Sequence, residues 1–311
     1  MREYNYLSNS KLDRVKWDNC ISNSFNRRIY GLSWYLDLVS ANWDAIIYGD
    51  YEAVFPVIFK NRILFKKYYH PLFAQQLGLF ICRDFNDDDR KKIVSDFFNF
   101  LYKKIGVLNF CSTSEFRYYF DETILKKHTF PFFNFHNLDE RLNLEIDLNN
   151  TYYNILKGYN KNTIRNLDKA NKKKMWISKD VGVKDFMSLY QKNVGIHINL
   201  SSKHLKVISK LLYSCIKRKK GYFLSVLDEG NIIGSAFFLS FFNRDILIFH
   251  ATEKSFKEYH PITYLINDYI HNNSNGNKIL DFEGSNITGV YRFYKGFGAK
   301  ENNYYIHKSI K

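Results

Sequence analysis

The chain has 311 residues, enough for two domains of ordinary size, and its 45% hydrophobic and 18% aromatic content supplies packed cores and excludes a mainly disordered chain. Lys and Arg outnumber Asp and Glu by 46 to 31, a net charge of +15, which favours anionic partners: a nucleotide, tRNA, a phosphorylated precursor or an acidic membrane face. Cys20, Cys82, Cys111 and Cys215 form no C-x-x-C pair, so neither a zinc site nor a disulfide framework is indicated; with a polar first 18 residues and no apolar run of spanning length, the chain is expected to be soluble and cytoplasmic.

In chain order, a helix is predicted over 29–41, where Leu32, Tyr35, Leu36 and Val39 share a face. Strands follow at 45–48 and 53–59, joined across Gly49-Asp50 as a hairpin. Beyond a loop through His70-Pro71, the apolar run 77–82 leads to Asp87-Asp88-Asp89, an acidic helix start that suits the helix dipole. Ile93, Val94, Phe97, Phe98 and Leu101 give that helix a buried face, and 107–111 reads as the next strand.

An extended stretch at 144–148 opens the second half, followed by a long basic helix over 152–174 and another helix over 202–218. Three strands come in quick succession at 222–227, 232–242 and 246–252, with turns at 228–231 and 243–245. A helix begins at Pro261, a strand spans 278–282, Gly284-Ser285-Asn286 turns into a further helix, and a last strand runs through Tyr304-Tyr305-Ile306. The helix-then-strand order at 87–111 echoes that at 261–282, which predicts two domains of similar topology, 1–143 and 144–311; one mixed α/β domain with a long insertion is the alternative.

The stretch 278–300, KILDFEGSNITGVYRFYKGFGAK, carries the densest chemistry. Alternation along its strand puts Asp281 and Glu283 on one face, and the helix after the turn carries Tyr294. The spacing N-x-x-[AG]-x-x-F-Y-x-x-F-G, met by Asn286, Gly289, Phe293, Tyr294, Phe297 and Gly298, is similar to the end of the GNAT acyltransferase core, where a tyrosine on this helix commonly protonates the leaving thiolate. DFEGS followed by RFYKGFG resembles the FemAB-type branch, which has tandem GNAT-like domains and includes ligases that add amino acids to peptidoglycan precursors. The basic stretch 159–174, with Arg165, Lys169 and Lys172, resembles the helix opening that branch's second domain. The resemblance covers most of 144–311 and reaches the first half only through GDYEAVFPVIFK and HPLFAQQLG.

The resemblance implies an α/β (α+β) chain of two tandem GNAT-like domains, each a mixed, mostly antiparallel sheet flanked by helices. It implies an N-acyltransferase with an acyl thioester donor, acyl-CoA, and a small or precursor-bound amine as acceptor. Two departures stand out. The family's ligases usually carry Phe-Lys where this chain has Phe293-Tyr294, with Lys295 displaced by one position, which moves the site toward the tyrosine-acid version. The segment before the helix at Pro261 lacks the glycines of the family's Q/R-x-x-G-x-G/A loop.

Attack of an amine on an activated carbonyl needs a base, oxyanion donors and an acid. Tyr294 is the expected acid, Glu283 and Asp281 compete as base, and backbone N–H groups along 246–252 are expected oxyanion donors. The helix start at Ile262 and Thr263, with Lys254, Lys257 and His260, is the expected donor-phosphate site. Arg165, Lys169, Arg292 and Lys295 are the candidates for substrate contact.

Plainer roles stand beside these. Tyr294 is one of 24 tyrosines; Asp281 can accept backbone hydrogen bonds or pair with Arg292; the basic helix can be a solvated face; His250 and His197 suit structural roles better than metal ligation. Two rivals remain open. One is an aminoacyl-tRNA-dependent transferase acting on a cell-wall or lipid precursor. The other is a non-catalytic protein of the same fold that binds an anionic ligand. No metal and no DNA partner is expected, and peripheral membrane contact stays open. G-x-S-x-G, Walker and G-x-G-x-x-G motifs are absent, so hydrolase, NTPase and dehydrogenase chemistry has no local support.

Overall fold

The computed structural model describes residues 2–105, 109–119, 138–196, 198–283 and 287–308. They divide into two compact units, 1–141 with 303–311, and 142–302. The expected turn at Gly284-Ser285-Asn286 and His197 lie outside the described residues.

In the first unit, β1 (Tyr4–Leu7), β2 (Asn42–Tyr48), β3 (Ala53–Asn61) and β4 (Lys66–Tyr68) form an antiparallel sheet in that order, and β5 (Phe80–Ile81) pairs with β3. β3 is buried from Ala53 to Phe59, which explains its nearly unbroken apolar run. Among the elements not expected from the sequence are β1, β4 and α1 (Arg14–Asn23). α1 buries Trp17, Cys20 and Ile21, and the Trp17 indole N–H donates to the Gly31 carbonyl at 2.8 Å. The helix predicted over 29–41 is instead a 3₁₀ turn, Ile29–Gly31, followed by α2 (Ser33–Val39).

Asn86 caps α3 (Asp87–Lys104) by accepting the Asp89 N–H at 2.8 Å. Phe97 of α3 then packs on Phe55, with ring centroids 4.9 Å apart. A second, three-stranded sheet contains β6 (Asn109–Cys111), β7 (Leu138–Arg141) and the last strand of the chain, Tyr304–Lys308, which lies between them. The ladder of this last strand to β6 and β7 groups Tyr304–Lys308 with the first unit, whereas the sequence reading puts the strand in the domain 144–311.

The second unit carries β8 (Leu144–Asp147), α4 (Tyr152–Leu156), α5 (Lys161–Asn171), β9 (Met175–Ser178), α6 (Val183–Tyr190) and α7 (Ser202–Lys217). There follow β10 (Gly221–Asp228), β11 (Asn231–Phe241), β12 (Arg244–Thr252), α8 (Pro261–Asn273), β13 (Ile279–Asp281), α9 (Thr288–Lys295) and β14 (Lys300–Glu301). Seven strands form one sheet in the order β14-β8-β13-β12-β11-β10-β9, and among them only β12 and β13 run parallel.

One face of this sheet, with Leu224, Val226, Ala236 and Phe238, packs under Leu265, Ile266 and Tyr269 of α8. On the other face Phe186 of α6 meets Phe223, which packs on Phe237, and Tyr190 meets Phe249. The basic helix expected over 152–174 is broken into α4 and α5 at Gly158–Asn160. The break has a packing cause: the Asn160 N–H donates to the Gly296 carbonyl at 2.9 Å, and the Gly158 backbone lies directly against Gly298. Among the described residues no helix is long and apolar enough to cross a membrane.

Candidate active site

β12 and β13 run together only through Arg244–Ile279, Asp245–Leu280 and Ile246–Asp281. Beyond that point each strand keeps its other neighbour. The Phe282 N–H donates to the Leu144 carbonyl of β8 at 2.9 Å, while β12 continues along β11 as far as Thr252 and Gly234. Between Leu247 and Thr252 the β13 side of β12 therefore has no strand partner among the described residues.

A β-bulge adds to the divergence. Phe237 opposes Phe249 but Phe238 opposes Leu247, so Ile248 is an extra residue. In a regular strand Leu247 and Phe249 would share a face. Here Leu247 joins the core under α8, and Phe249 packs on Tyr190 on the opposite side. His250 consequently turns toward α9, where its ring lies 6.1 Å from Tyr294 in an edge-on arrangement.

Tyr294 is 4% exposed. Its ring stacks on Phe282, the residue at which the two strands separate, with centroids 4.5 Å apart and planes 16° apart. Burial, and then the nearby Glu283 carboxylate and Tyr190, push the phenol well above its ordinary pKa, so the group stays protonated through neutral and alkaline pH. Burial holds the His250 imidazole neutral, with a pKa lowered to about 4. Glu283 sits half-buried after β13, with its backbone in the left-handed region at φ 55°.

Asp281, 2% exposed, belongs to a buried ion network rather than to the open gap. One of its oxygens takes the Arg244 guanidinium at 2.5 Å and the other takes the Glu283 N–H at 2.8 Å. Arg244 also binds Glu145 of β8, whose carboxylate accepts from Asn143 at 2.9 Å and Asn302 at 3.0 Å. The network pins β8, β13 and β12 together at the end where they still pair. The sequence reading offered Arg292 as partner for Asp281; Arg244 holds that place, and Arg292 is exposed on α9.

α8 begins abruptly. His260 sits in the left-handed region (φ 51°), its side chain makes no capping bond, and Pro261 occupies the first helical position. The Ile262 and Thr263 N–H groups precede the first intrahelical bond, and among the described residues neither has an acceptor. Gly234 permits this approach to the sheet, since a Cβ there would stand 2.9 Å from Pro261 Cβ. Beside the helix start lies a cleft of about 720 Å³ lined by Lys169, Lys172, Lys173, Lys257, Glu258, Tyr259 and His260, four lysines against one carboxylate. A second cleft of about 450 Å³ has Thr263, Thr163, Asn166, Arg292, Phe293 and Lys295 among its lining residues. His260 is held below its usual pKa, by burial first and then by the charges of Lys169 and Arg165.

No family profile matches the sequence, and no curated protein sequence matches it either. Solved structures do match in fold. FemX superposes with a TM-score of 0.67 at 11% identity, over 98% of this chain and 97% of FemX. A GNAT-family acetyltransferase from Colwellia psychrerythraea gives 0.54 at 9% identity, over 99% of this chain and 100% of that one. A tandem GNAT protein from the clavulanic acid biosynthesis pathway gives 0.50 at 7%, over 98% and 97% of the two chains. The fold is GNAT-like, of the FemAB type.

Within this GNAT-like frame the expected residues fall into three groups. Tyr294 and Glu283 lie together where the strands part, with Asp281 turned into the ion network behind them. Lys257, His260 and Lys169 line the first cleft, and Arg165 is close enough to act on His260. Thr263, Arg292 and Lys295 line the second, and the Lys295 ammonium pairs with Glu301 at 3.3 Å. Ile262 is buried at the helix start. Lys254 lines neither cleft; its backbone N–H donates to Asn193 Oδ1 at 3.1 Å, and its side chain is exposed. Arg244, Glu145 and Tyr190 were not anticipated. Their positions follow from strand order and helix docking, which carry no local sequence motif.

Proposed function

We propose that the second unit is an N-acyltransferase site that takes an acyl thioester, acyl-CoA, as donor and an amine as acceptor. The observation that carries this reading is the separation of β12 from β13 after Ile246–Asp281, with the protonated phenol of Tyr294 stacked beside the point of separation.

Each requirement of acyl transfer has a candidate group at this site. The open side of β12 between Leu247 and Thr252 offers backbone donors for the carbonyl oxygen as it gains negative charge. Glu283 takes a proton from the attacking amine, directly or through water, as the C–N bond forms. Tyr294 gives its proton to sulfur as the C–S bond breaks. A thioester supplies the activated carbonyl and a departing thiolate. The uncapped start of α8, with the Ile262 and Thr263 N–H groups and the lysines around the first cleft, suits a polyphosphate by both dipole and charge. These features offset the missing glycine loop, whose place is taken by a 3₁₀ turn at Lys254–Tyr259.

One observation favours a second donor. The exposed side chains of Arg165, Lys169, Lys172 and Lys173 form a longer cationic run than one pyrophosphate occupies, as an aminoacyl-tRNA would use. Thermal-shift titration separates the two readings. Acetyl-CoA should raise the melting temperature, since saturation at a hundred times Kd adds about 2.7 kcal/mol. Absence of a shift with any acyl-CoA, together with salt-dependent tRNA binding, would replace the first donor with the second. Absence of turnover with either donor would sink the transferase reading.

A further inference from the structure

The hairpin joining β3 to β4 carries three consecutive large apolar side chains at its tip. Ile63 is 101% exposed, Leu64 92% and Phe65 64%. The Arg62 N–H donates to the Phe65 carbonyl at 2.9 Å, which makes Ile63 and Leu64 the central residues of a tight turn. Neither residue takes a positive φ, so the turn accepts most side chains and does not itself select large apolar ones. Internal packing does not either, because their side chains stand in solvent. Single exposed apolar residues are ordinary, whereas a contiguous run at a projecting tip marks a surface that binds something.

The surrounding charge identifies the partner. Every residue from Lys60 to Lys67 is exposed, and the segment contains four cations and no carboxylate. Lys66 turns inward, binding Asp44 at 2.9 Å and lying 3.9 Å over the Phe59 ring. Lys60 lies 4.6 Å over the Tyr69 ring, and it, Arg62 and Lys67 are exposed beside the tip. A second copy of this chain would bring the same positive fringe and be repelled. Aliphatic Ile63 and Leu64 offer no flat ring on which a nucleic-acid base could stack. An anionic bilayer satisfies both halves of the patch.

We propose that this hairpin is a membrane-docking wedge: Ile63, Leu64 and Phe65 enter the interfacial layer of an anionic bilayer while Lys60, Arg62 and Lys67 meet its headgroups. The ladder supports shallow insertion, because Asn61–Lys66, Lys60–Lys67 and Phe59–Tyr68 are paired and only the turn itself has to shed water. Three apolar side chains with three cations give reversible, salt-sensitive binding rather than permanent anchoring. The proposal is independent of the transfer chemistry at the other unit.

Co-sedimentation of the purified full chain with extruded vesicles tests it, comparing phosphatidylcholine alone with an equimolar mixture with phosphatidylglycerol. Partitioning should be about tenfold or more stronger on the anionic vesicles and should fall as salt is raised. The combined Ile63→Ser, Leu64→Ser and Phe65→Ser variant should lose binding without a change in melting temperature, since the tip supports no core. Lys60→Glu with Arg62→Glu and Lys67→Glu should abolish the anionic preference. In a Leu64→Trp variant, emission should shift to the blue on anionic vesicles. Equal partitioning of the wild-type chain on both vesicle types, unimpaired binding by the serine variant, or no binding at all overturns the proposal. So does a dimer in sedimentation velocity that the serine variant loses while vesicles bind neither protein.

Discussion

Tyr294 lies face to face with Phe282, so the residue that marks the end of strand pairing also orients the candidate acid. The stacking needs only the ring, whereas proton donation needs the hydroxyl, and this separates structure from chemistry in a single substitution. Tyr294→Phe should lower kcat by about a hundredfold or more, leave KM for the donor nearly unchanged, and leave the melting temperature within a degree or two. Tyr294→Ala should additionally cost about 3 kcal/mol, because it empties a buried aromatic site. Steady-state kinetics paired with urea unfolding measures both; unchanged kcat in the phenylalanine variant would remove Tyr294 from the mechanism.

Arg244 of β12 holds two carboxylates, Glu145 of β8 and Asp281 of β13, so one ion cluster spans three adjacent strands. Removing the cation leaves two buried negative charges facing each other. Arg244→Met should therefore destabilise the second unit by about 3–5 kcal/mol, more than an ordinary core truncation of similar size. Adding Asp281→Asn and Glu145→Gln to the same chain should recover part of the loss, and denaturant midpoints across the series measure it. If Arg244→Met alone proves neutral, the network is not what pins the strands.

Gly298 combines a left-handed backbone, φ 75°, with close approach to a second backbone: a Cβ there would stand 3.0 Å from the Gly158 carbonyl carbon and oxygen. Neither atom sits on a flexible side chain that can move aside. Gly298→Ala should cost about 1–3 kcal/mol and loosen the contact that ends α4 and positions α9. Faster amide exchange in α9, with exchange in α7 unchanged, is the expected signature.

His307 is 2% exposed and stacks on Phe110 with centroids 4.4 Å apart and planes 5° apart. Burial lowers its pKa to about 3. In the unfolded chain it titrates near 6.5, so below that pH the unfolded state binds a proton that the folded state refuses. The stability it confers is complete above about pH 6.5 and is lost progressively as pH falls toward 3, at up to about 1.4 kcal/mol per pH unit. His307→Phe should flatten the acid limb of the stability curve over that window. The effect will be partial, since His70 and His250 are each held at about 4 for the same reason.

Much of the second unit was legible in its sequence because its strands and α8 carry long apolar runs at clear spacing, closed by polar turns. β12 shows both the strength and the limit of that reading: the run from Ile246 is obvious, but Arg244 looks like part of a polar turn and in fact begins the strand. Its partner Glu145 lies 99 residues away and meets it only through the sheet order β8-β13-β12, which no local pattern encodes. α1 escaped notice because RVKWDNCISN is polar overall and buries only three residues. The bulge at Ile248 was equally invisible, since an extra residue leaves hydrophobicity unchanged while turning His250 toward Tyr294. Tyr294 and Glu283 could be singled out together because they lie within one short stretch.

The cationic rim of the first cleft gives a prediction that distinguishes binding from chemistry. Lys169 and Lys257 come from α5 and from the turn before α8, and both face the space beside an uncapped helix start. Neither is near Tyr294 among its ring contacts or charge partners. Lys169→Glu with Lys257→Glu should therefore raise KM for a polyphosphate-bearing donor by about tenfold or more while leaving kcat within about twofold, as expected when an interaction common to ground and transition states is removed. Because the lost contribution is screened by ions, the gap between wild type and variant should narrow as salt is raised. A fall in kcat with KM unchanged would place these lysines at the reacting centre. No change in either constant would move the donor phosphates away from the start of α8.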